Sequence, residues 1–319
     1  MADVTLWGAT YHSVPSIEVP APNNETAEFY DVTDTTAVAS DVASGKYFYT
    51  AAGQRTEGTA SGGGDAETIN ALVSGEMGNN SYTFGVTSLG RCFANTVGAF
   101  SLTLPNCTEV RTNYALEASE LVAFSAPLLT EGKNYMFSEC RNLTSVNLPL
   151  LTKVSYTMFH RCSSLPKIFF PNIQFDDYAC DESGIVVAVA GTTSTKWRQF
   201  YKCPNLTTID LGTQTTKITQ VGRESPLFNT LILRTSNACV TLNSSTDDFI
   251  GTPFASGGSG GTIYIPESLY NHLGDGTSSD YKAATNWSTV NGYGTITWAK
   301  IEGSQYENYY ADGTPIPSS

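Results

Sequence analysis

Four prolines, Pro105, Pro127, Pro149 and Pro171, follow one another at intervals of 22 residues. Two apolar residues precede each in the same frame: Leu102 and Leu104, Phe124 and Ala126, Val146 and Leu148, Ile168 and Phe170. An anchor stands three residues further upstream, as Leu121, Leu143 and Leu165, with Ala99 in the first copy. Successive side chains of a strand point to opposite faces, so Val146 and Leu148 turn inward and Ser145 and Asn147 outward. Proline lacks the N–H a ladder needs and ends the strand. A second apolar segment closes the turn: Tyr114-Ala115, Met136-Phe137, Met158-Phe159 and, later, Phe200. A fixed period of this size marks a solenoid, in which each turn buries its apolar side only against its neighbours. The expected fold is a β-rich solenoid with short helices or 3-10 turns at its corners.

After Pro171 the frame slips and recovers. Leu206, Ile209 and Leu211 repeat Leu165, Ile168 and Phe170 at an offset of 41, one regular turn of 22 plus an irregular one of 19. Ile185 to Val189 supplies a strand for the irregular turn. Phe228, Leu231 and Leu233 resume the period. The last clear copy is Thr262 to Pro266, after the glycine-rich loop 256–261. Residues 66–266 are thus the solenoid with its N-terminal cap, and 267–319 a C-terminal cap and tail. Ser279 or Asp280 caps a closing helix, Tyr281 and Trp287 cover the open end, and a strand follows at Thr295 to Trp298.

Residues 1–60 form a separate module. Thr5 to Tyr11 opens with a short β-like run, and Pro15, Pro20 and Pro22 keep the next stretch extended. A short helix starts at Asp34 or Thr35 and ends at Gly45. Lys46 to Thr50 and Arg55 to Thr59 form a hairpin, too poor in apolar residues to fold alone. The module is expected to order by docking or oligomerising. Ser61 to Asp65 is a flexible glycine-rich joint.

The chain has 319 residues and a formal net charge of −13, which disfavours nucleic acid and anionic membranes as partners. No apolar run approaches the length of a membrane span, and the first residues lack a secretory signal. Seven cysteines with no CxxC point to a reducing compartment during folding. Cys140, Cys162 and Cys203 share a repeat position. Stacked thiols could ligate a metal, but small buried residues are the simpler reading, since Ala118 and Thr96 fill the same slot earlier. His12, His160 and His272 stand outside any metal motif. Asp176, Asp177, Asp181 and Glu182 form an acidic cluster that could hold calcium or cleave glycosides; a solvated loop is the plainer reading. No catalytic constellation, cofactor or metal site is expected.

Two resemblances add to this. The run Val32 to Gly53, closed by Gly58-Thr59, resembles an element of bacteriophage and prophage structural proteins, found near the N-terminus ahead of a variable distal domain. Residues Phe93 to Pro266 resemble the BspA-like class of leucine-rich repeats; Asn142 to Pro149 and Met158 to Leu165 carry the likeness. That class is associated with adhesion and recognition on bacterial surfaces and phage tails. Together they imply a virion protein, tail or tail fibre, made in the bacterial cytoplasm and released with the particle. Residues 1–60 would attach it to other virion proteins, with Trp7, Tyr11, Tyr47, Phe48 and Tyr49 as candidate attachment residues, and it would form a homo-oligomer, a trimer by analogy with virion fibres. The solenoid would meet a host-surface polysaccharide or protein through Ser145, Asn147, Lys167, Phe169, Trp197, Arg198, Phe200 and Phe254. A capsid fibre and a bacterial surface adhesin are the alternatives.

Overall fold

The structure is a computed structural model. It describes residues 2–6, 9–14, 16–21, 25–30, 47–49, 55–57, 80–195, 198–219, 221–242, 254, 260–284, 287 and 295–318. The chain divides into two compact units, Met1–Asn70 and Ala71–Ser319.

The first unit is built from antiparallel hairpins. Strand β1 (Ala2–Leu6) pairs with β2 (Ala9–Val14), β3 (Ser16–Ala21) with β4 (Glu25–Tyr30), and β5 (Tyr47–Tyr49) with β6 (Arg55–Glu57). The last hairpin is the expected one. The extended stretch expected around Pro20 is strand β3, and its pairing into a hairpin with β4 is what the prolines did not announce. Pro20 sits inside β3 opposite Thr26, within the compass of a two-stranded ribbon that tolerates a missing donor on its free edge. The helix expected near Asp34 lies outside the described residues.

The second unit is a parallel β-solenoid. Its first sheet stacks β7 (Ser81–Thr83), β9 (Phe100–Thr103), β11 (Leu121–Ser125) and β12 (Ser145–Asn147). Its second stacks β14 (Lys167–Phe170), β16 (Val187–Ala190), β17 (Thr208–Leu211), β19 (Thr230–Leu233), β21 (Gly260–Ile265) and β22 (Thr295–Lys300). Short strand pairs run along a neighbouring side: β8 (Ser88–Leu89) with β10 (Glu109–Val110), β13 (Lys153–Val154) with β15 (Gln174–Phe175), and β18 (Lys217–Ile218) with β20 (Thr241–Leu242). Ala123 pairs with Ser145 and Thr208 with Thr230, which is the 22-residue period seen as register. The irregular turn differs from expectation. Lys167 pairs with Val187 and Val187 with Thr208, so the intervals are 20 and 21 rather than 22 and 19. The shortfall is shared between two turns.

Apolar repeat positions fill the interior. Phe124, Phe137 and Phe159 follow one another with ring centroids 5.1 and 5.3 Å apart, and Phe175 meets Phe200 at 5.7 Å. Full burial of each such ring stabilises by about 2–3 kcal/mol.

The far corners are turns rather than helices, and their form is unusual. Tyr114, Ala118, Tyr135, Glu139, Thr157, Arg161, Tyr178, Glu182, Arg198, Lys202 and Glu224 all have positive φ, between 52° and 62°. A non-glycine residue in the left-handed region is strained, and a ladder offsets the strain here. The N–H groups of Tyr135, Phe137 and Glu139 donate to the carbonyls of Tyr156, Met158 and His160 of the next turn, at 2.8–3.1 Å. Thr157, Phe159 and Arg161 do the same to Asp177, Ala179 and Asp181. Turning these N–H groups along the solenoid axis needs the left-handed residues.

Among the described residues, helix is confined to one turn, α1 (Glu267–Tyr270). The closing helix expected after Asp280 is a turn over the described residues. Asp280 does cap it: its carboxylate accepts from Lys282 N–H at 2.8 Å and Gly276 N–H at 3.0 Å. The second of these bonds closes the preceding loop instead of starting a helix. Tyr281 and Trp287 are buried as expected, in a cluster with Trp298 of β22 at 5.0 and 5.4 Å. They pack against the last strand, and they also meet the end of the β18–β20 ladder: Val240 N–H donates to the Tyr281 hydroxyl at 3.0 Å and the Trp287 indole N–H donates to the Val240 carbonyl at 2.6 Å.

Candidate surface-recognition site

The two sheets do not join. β12 and β14 share no ladder, although β13 and β15 hold the same two turns together nearby. A proline stands at the break. Thr144 N–H donates to Val122 carbonyl at 2.8 Å, and Thr207 N–H to Val186 carbonyl at 2.9 Å. The equivalent position between them is Pro166, which has no N–H to give. Further along, Leu104 donates to Ser125 and Ala126 to Asn147, but the corresponding bond from Leu148 to Phe169 is not made.

On the first sheet, the outward positions form two columns. One is Ser81, Ser101, Ala123 and Ser145; the other is Thr83, Thr103, Ser125 and Asn147. All are exposed or half-exposed. The columns carry no charge. Asn147 donates its side-chain amide to Ser125 Oγ at 3.0 Å, so the ladder organises its own polar groups. A shallow depression of about 250 Å³ crosses them. Chemically the face offers hydroxyl and amide donors and acceptors at strand spacing, which suits a neutral polar partner such as a saccharide or a peptide backbone.

On the second sheet the chain's own C-terminal tail covers one of the two outward columns, that of Phe169, Asp210 and Tyr264. Arg234, just after β19, makes a bidentate pair with Asp210 of β17 at 2.7–3.1 Å and donates to the carbonyls of Tyr306 and Tyr309 at 3.0 and 2.9 Å. Ala311 N–H adds a 3.4 Å bond to Asp210. Tyr310 packs edge-on against Phe169 at 5.4 Å, Tyr306 against Tyr264 at 4.8 Å, and Asp312 lies 3.5 Å from Lys167. Burial pushes the Asp210 carboxyl up to about 6, against the pull of Arg234.

This rearranges the expected binding residues. Ser145 and Asn147 lie on the open face, and Lys167 is exposed at its border. Phe169 is half-buried under Tyr310 instead of standing free. Phe200 and Phe254 are each 1 % exposed: Phe200 is the core ring of its turn, and Phe254 packs on Phe228 at 5.3 Å. Arg198 is half-exposed with its guanidinium over Tyr201 at 4.6 Å, and Trp197 lies outside the described residues. Among the attachment residues, Tyr47 is exposed under the Arg55 guanidinium at 3.8 Å. Tyr11 is on β2, Phe48 and Tyr49 are on β5, and Trp7 is outside the described residues.

The thiols are donors within the corners. Cys140 Sγ bonds Leu116 carbonyl at 3.0 Å, Cys162 bonds Phe137 carbonyl at 3.1 Å, and Cys203 bonds Cys180 carbonyl at 3.1 Å. Ser225 Oγ repeats the pattern to Phe200 carbonyl at 3.0 Å. Burial pushes Cys140 up to about 11, Cys203 to about 12, and Cys162 and Cys180 well above their ordinary value. All seven cysteines are free.

The acidic cluster does not converge. Asp176 pairs with Lys153 at 2.8 Å, Glu182 with Arg161 at 2.8 Å, and Asp181 Oδ1 lies 2.9 Å from His160 Nδ1. The Arg161 guanidinium holds the Glu182 carboxyl below the usual carboxylate range. Each of these three carboxylates is taken up by the preceding turn. Among the described residues, no three His, Cys, Asp or Glu side chains gather as metal ligands, and no helix is long and apolar enough to cross a membrane.

The geometry agrees with what comparison finds. Residues 83–186 match the model of the BspA type leucine-rich repeat region, in six copies. The ladder in the structure continues past that span to β22. No curated protein matches the chain.

Proposed function

We propose that this chain, with its BspA-type repeat region, is a non-enzymatic recognition protein of a bacteriophage particle, carried on the tail or a tail fibre. The open, uncharged polar face of the first sheet carries the recognition half of this reading. Four rungs of that face are solvent-facing in both columns while the following rungs have one column covered by the tail, so recognition of a host-surface polysaccharide or protein is assigned to Ser101, Thr103, Ser125, Ser145 and Asn147. The virion half rests on the likeness of Val32 to Gly53 to phage structural proteins. Under it, residues 1–60 attach the chain to other virion proteins and hold its copies together.

Mass spectrometry of phage particles purified from cells that encode the chain tests the assignment. Its peptides are expected at a constant ratio to tail proteins through successive gradients. Recovery in the cell envelope with none on particles would replace this reading with that of a surface adhesin.

A further inference from the structure

Between β12 and β14 lies a groove of about 500 Å³, floored by Val146, Leu148, Phe170 and Ile173 and rimmed by Asn147 and Lys167. Its walls are the two strand edges that fail to pair. We propose that this groove is a binding site for an extended peptide, which enters as the missing rung and pairs with both edges.

Three observations choose that occupant. First, the walls present unmade backbone bonds. Leu148 N–H and the Phe169 carbonyl stand where every earlier turn makes a rung-to-rung bond, and the Thr144 carbonyl faces Pro166, which cannot donate. Buried or half-buried backbone groups in that condition are stabilised by a strand, and a lipid tail or aromatic ligand would leave them unsatisfied. Second, the volume fits. Three residues of strand, each rising about 3.3 Å, in a slot about 4.8 Å wide and about 10 Å deep, fill about 500 Å³. Third, the floor is apolar where alternate side chains of such a strand would point inward, and the rim is polar where the others would point out. Val146 is half-exposed while the equivalent Leu102 and Phe124 are buried, so the groove leaves one repeat position of the core uncovered. The site borders the open face, sharing Ser145 and Asn147 with it, and does not rest on the virion reading.

The probe is a fluorescent heptapeptide copying residues 120–126, a rung without proline, titrated with the full chain and followed by anisotropy. Saturable binding is expected, insensitive to salt. In Pro166→Thr, which restores the donor found at Thr144, the sheet closes, and binding falls at least tenfold. Val146→Glu places a charge on the floor and gives a similar loss. Both variants are to retain the wild-type melting transition, and in Pro166→Thr the amides of Leu148 and Phe169 gain hydrogen-exchange protection. No saturation by wild type up to about 1 mM peptide would overturn the proposal, as would equal binding by folded Pro166→Thr. So would dimerisation of the free chain that blocks the peptide and vanishes in Pro166→Thr, which would assign the groove to a second copy.

Discussion

Cys140, Cys162 and Cys203 recur because a corner turn leaves a carbonyl of the preceding turn needing a donor, and a side chain small enough to fit there supplies it. Serine does the same at Ser225. The recurrence was visible in the sequence, but its reason was not, because the acceptor lies 23 to 25 residues earlier. Alkylation of the native protein is therefore expected to label exposed Cys92 well before Cys140, Cys162, Cys180 or Cys203, which react only on unfolding. Reductant is expected to leave the melting temperature unchanged. Asp210 gives a second test at this scale. Its carboxyl is raised from an ordinary 3.8 to about 6 by burial, so the folded chain binds that proton more tightly than the unfolded chain. Its stabilising contribution is full below pH 3.8 and is lost as pH rises through 6. Thermal melts at pH 5 and 7.5 are expected to show a gain on acidification in the wild type relative to Asp210→Asn. Removing the partner with Arg234→Met leaves a buried unpaired charge at neutral pH and costs about 3–5 kcal/mol.

At the scale of elements, the rungs were legible and their interruptions were not. Inward Val146 and Leu148, the strand near Val187 and the period all follow from alternation and spacing, which depend on local residues. Strands β9, β11, β12 and β14 end one or two residues before Pro105, Pro127, Pro149 and Pro171, as the missing N–H requires. The same logic applied to Pro166 at the start of one marks the break between the sheets, and the residue stood in plain view. The corner turns were hidden for a different reason. Left-handed geometry at Tyr135 or Arg161 comes from inter-turn bonds and has no glycine to announce it. Glycine does have meaning where the proline column ends. A Cβ on Gly191 would lie 2.0 Å from the Pro171 carbonyl oxygen, and one on Gly212 would lie 2.9 Å from the same atom. Gly191→Ala is thus expected to cost about 1–3 kcal/mol in chemical denaturation. Gly90→Ala, with nothing within 4 Å, is expected to change stability by less than about 0.5 kcal/mol.

At the scale of the whole molecule, the tail decides which part of the solenoid can meet a partner. Its bonds to Arg234 span 72 and 75 residues and follow no period, so no repeat pattern could reveal them. The available clues were a carboxylate, Asp210, at an outward position of a rung and the tyrosines Tyr306, Tyr309 and Tyr310 near the end of the sequence. With the tail in place, only the first sheet keeps both outward columns open along every rung. The direct measurement is binding of the labelled full chain to bacterial envelopes, comparing wild type with Ser145→Arg/Asn147→Arg and with the corner variant Lys202→Ala. A loss of at least tenfold in the double variant, with the corner variant unchanged, is predicted. Equal binding by all three would contradict the assignment of the open face as the recognition surface.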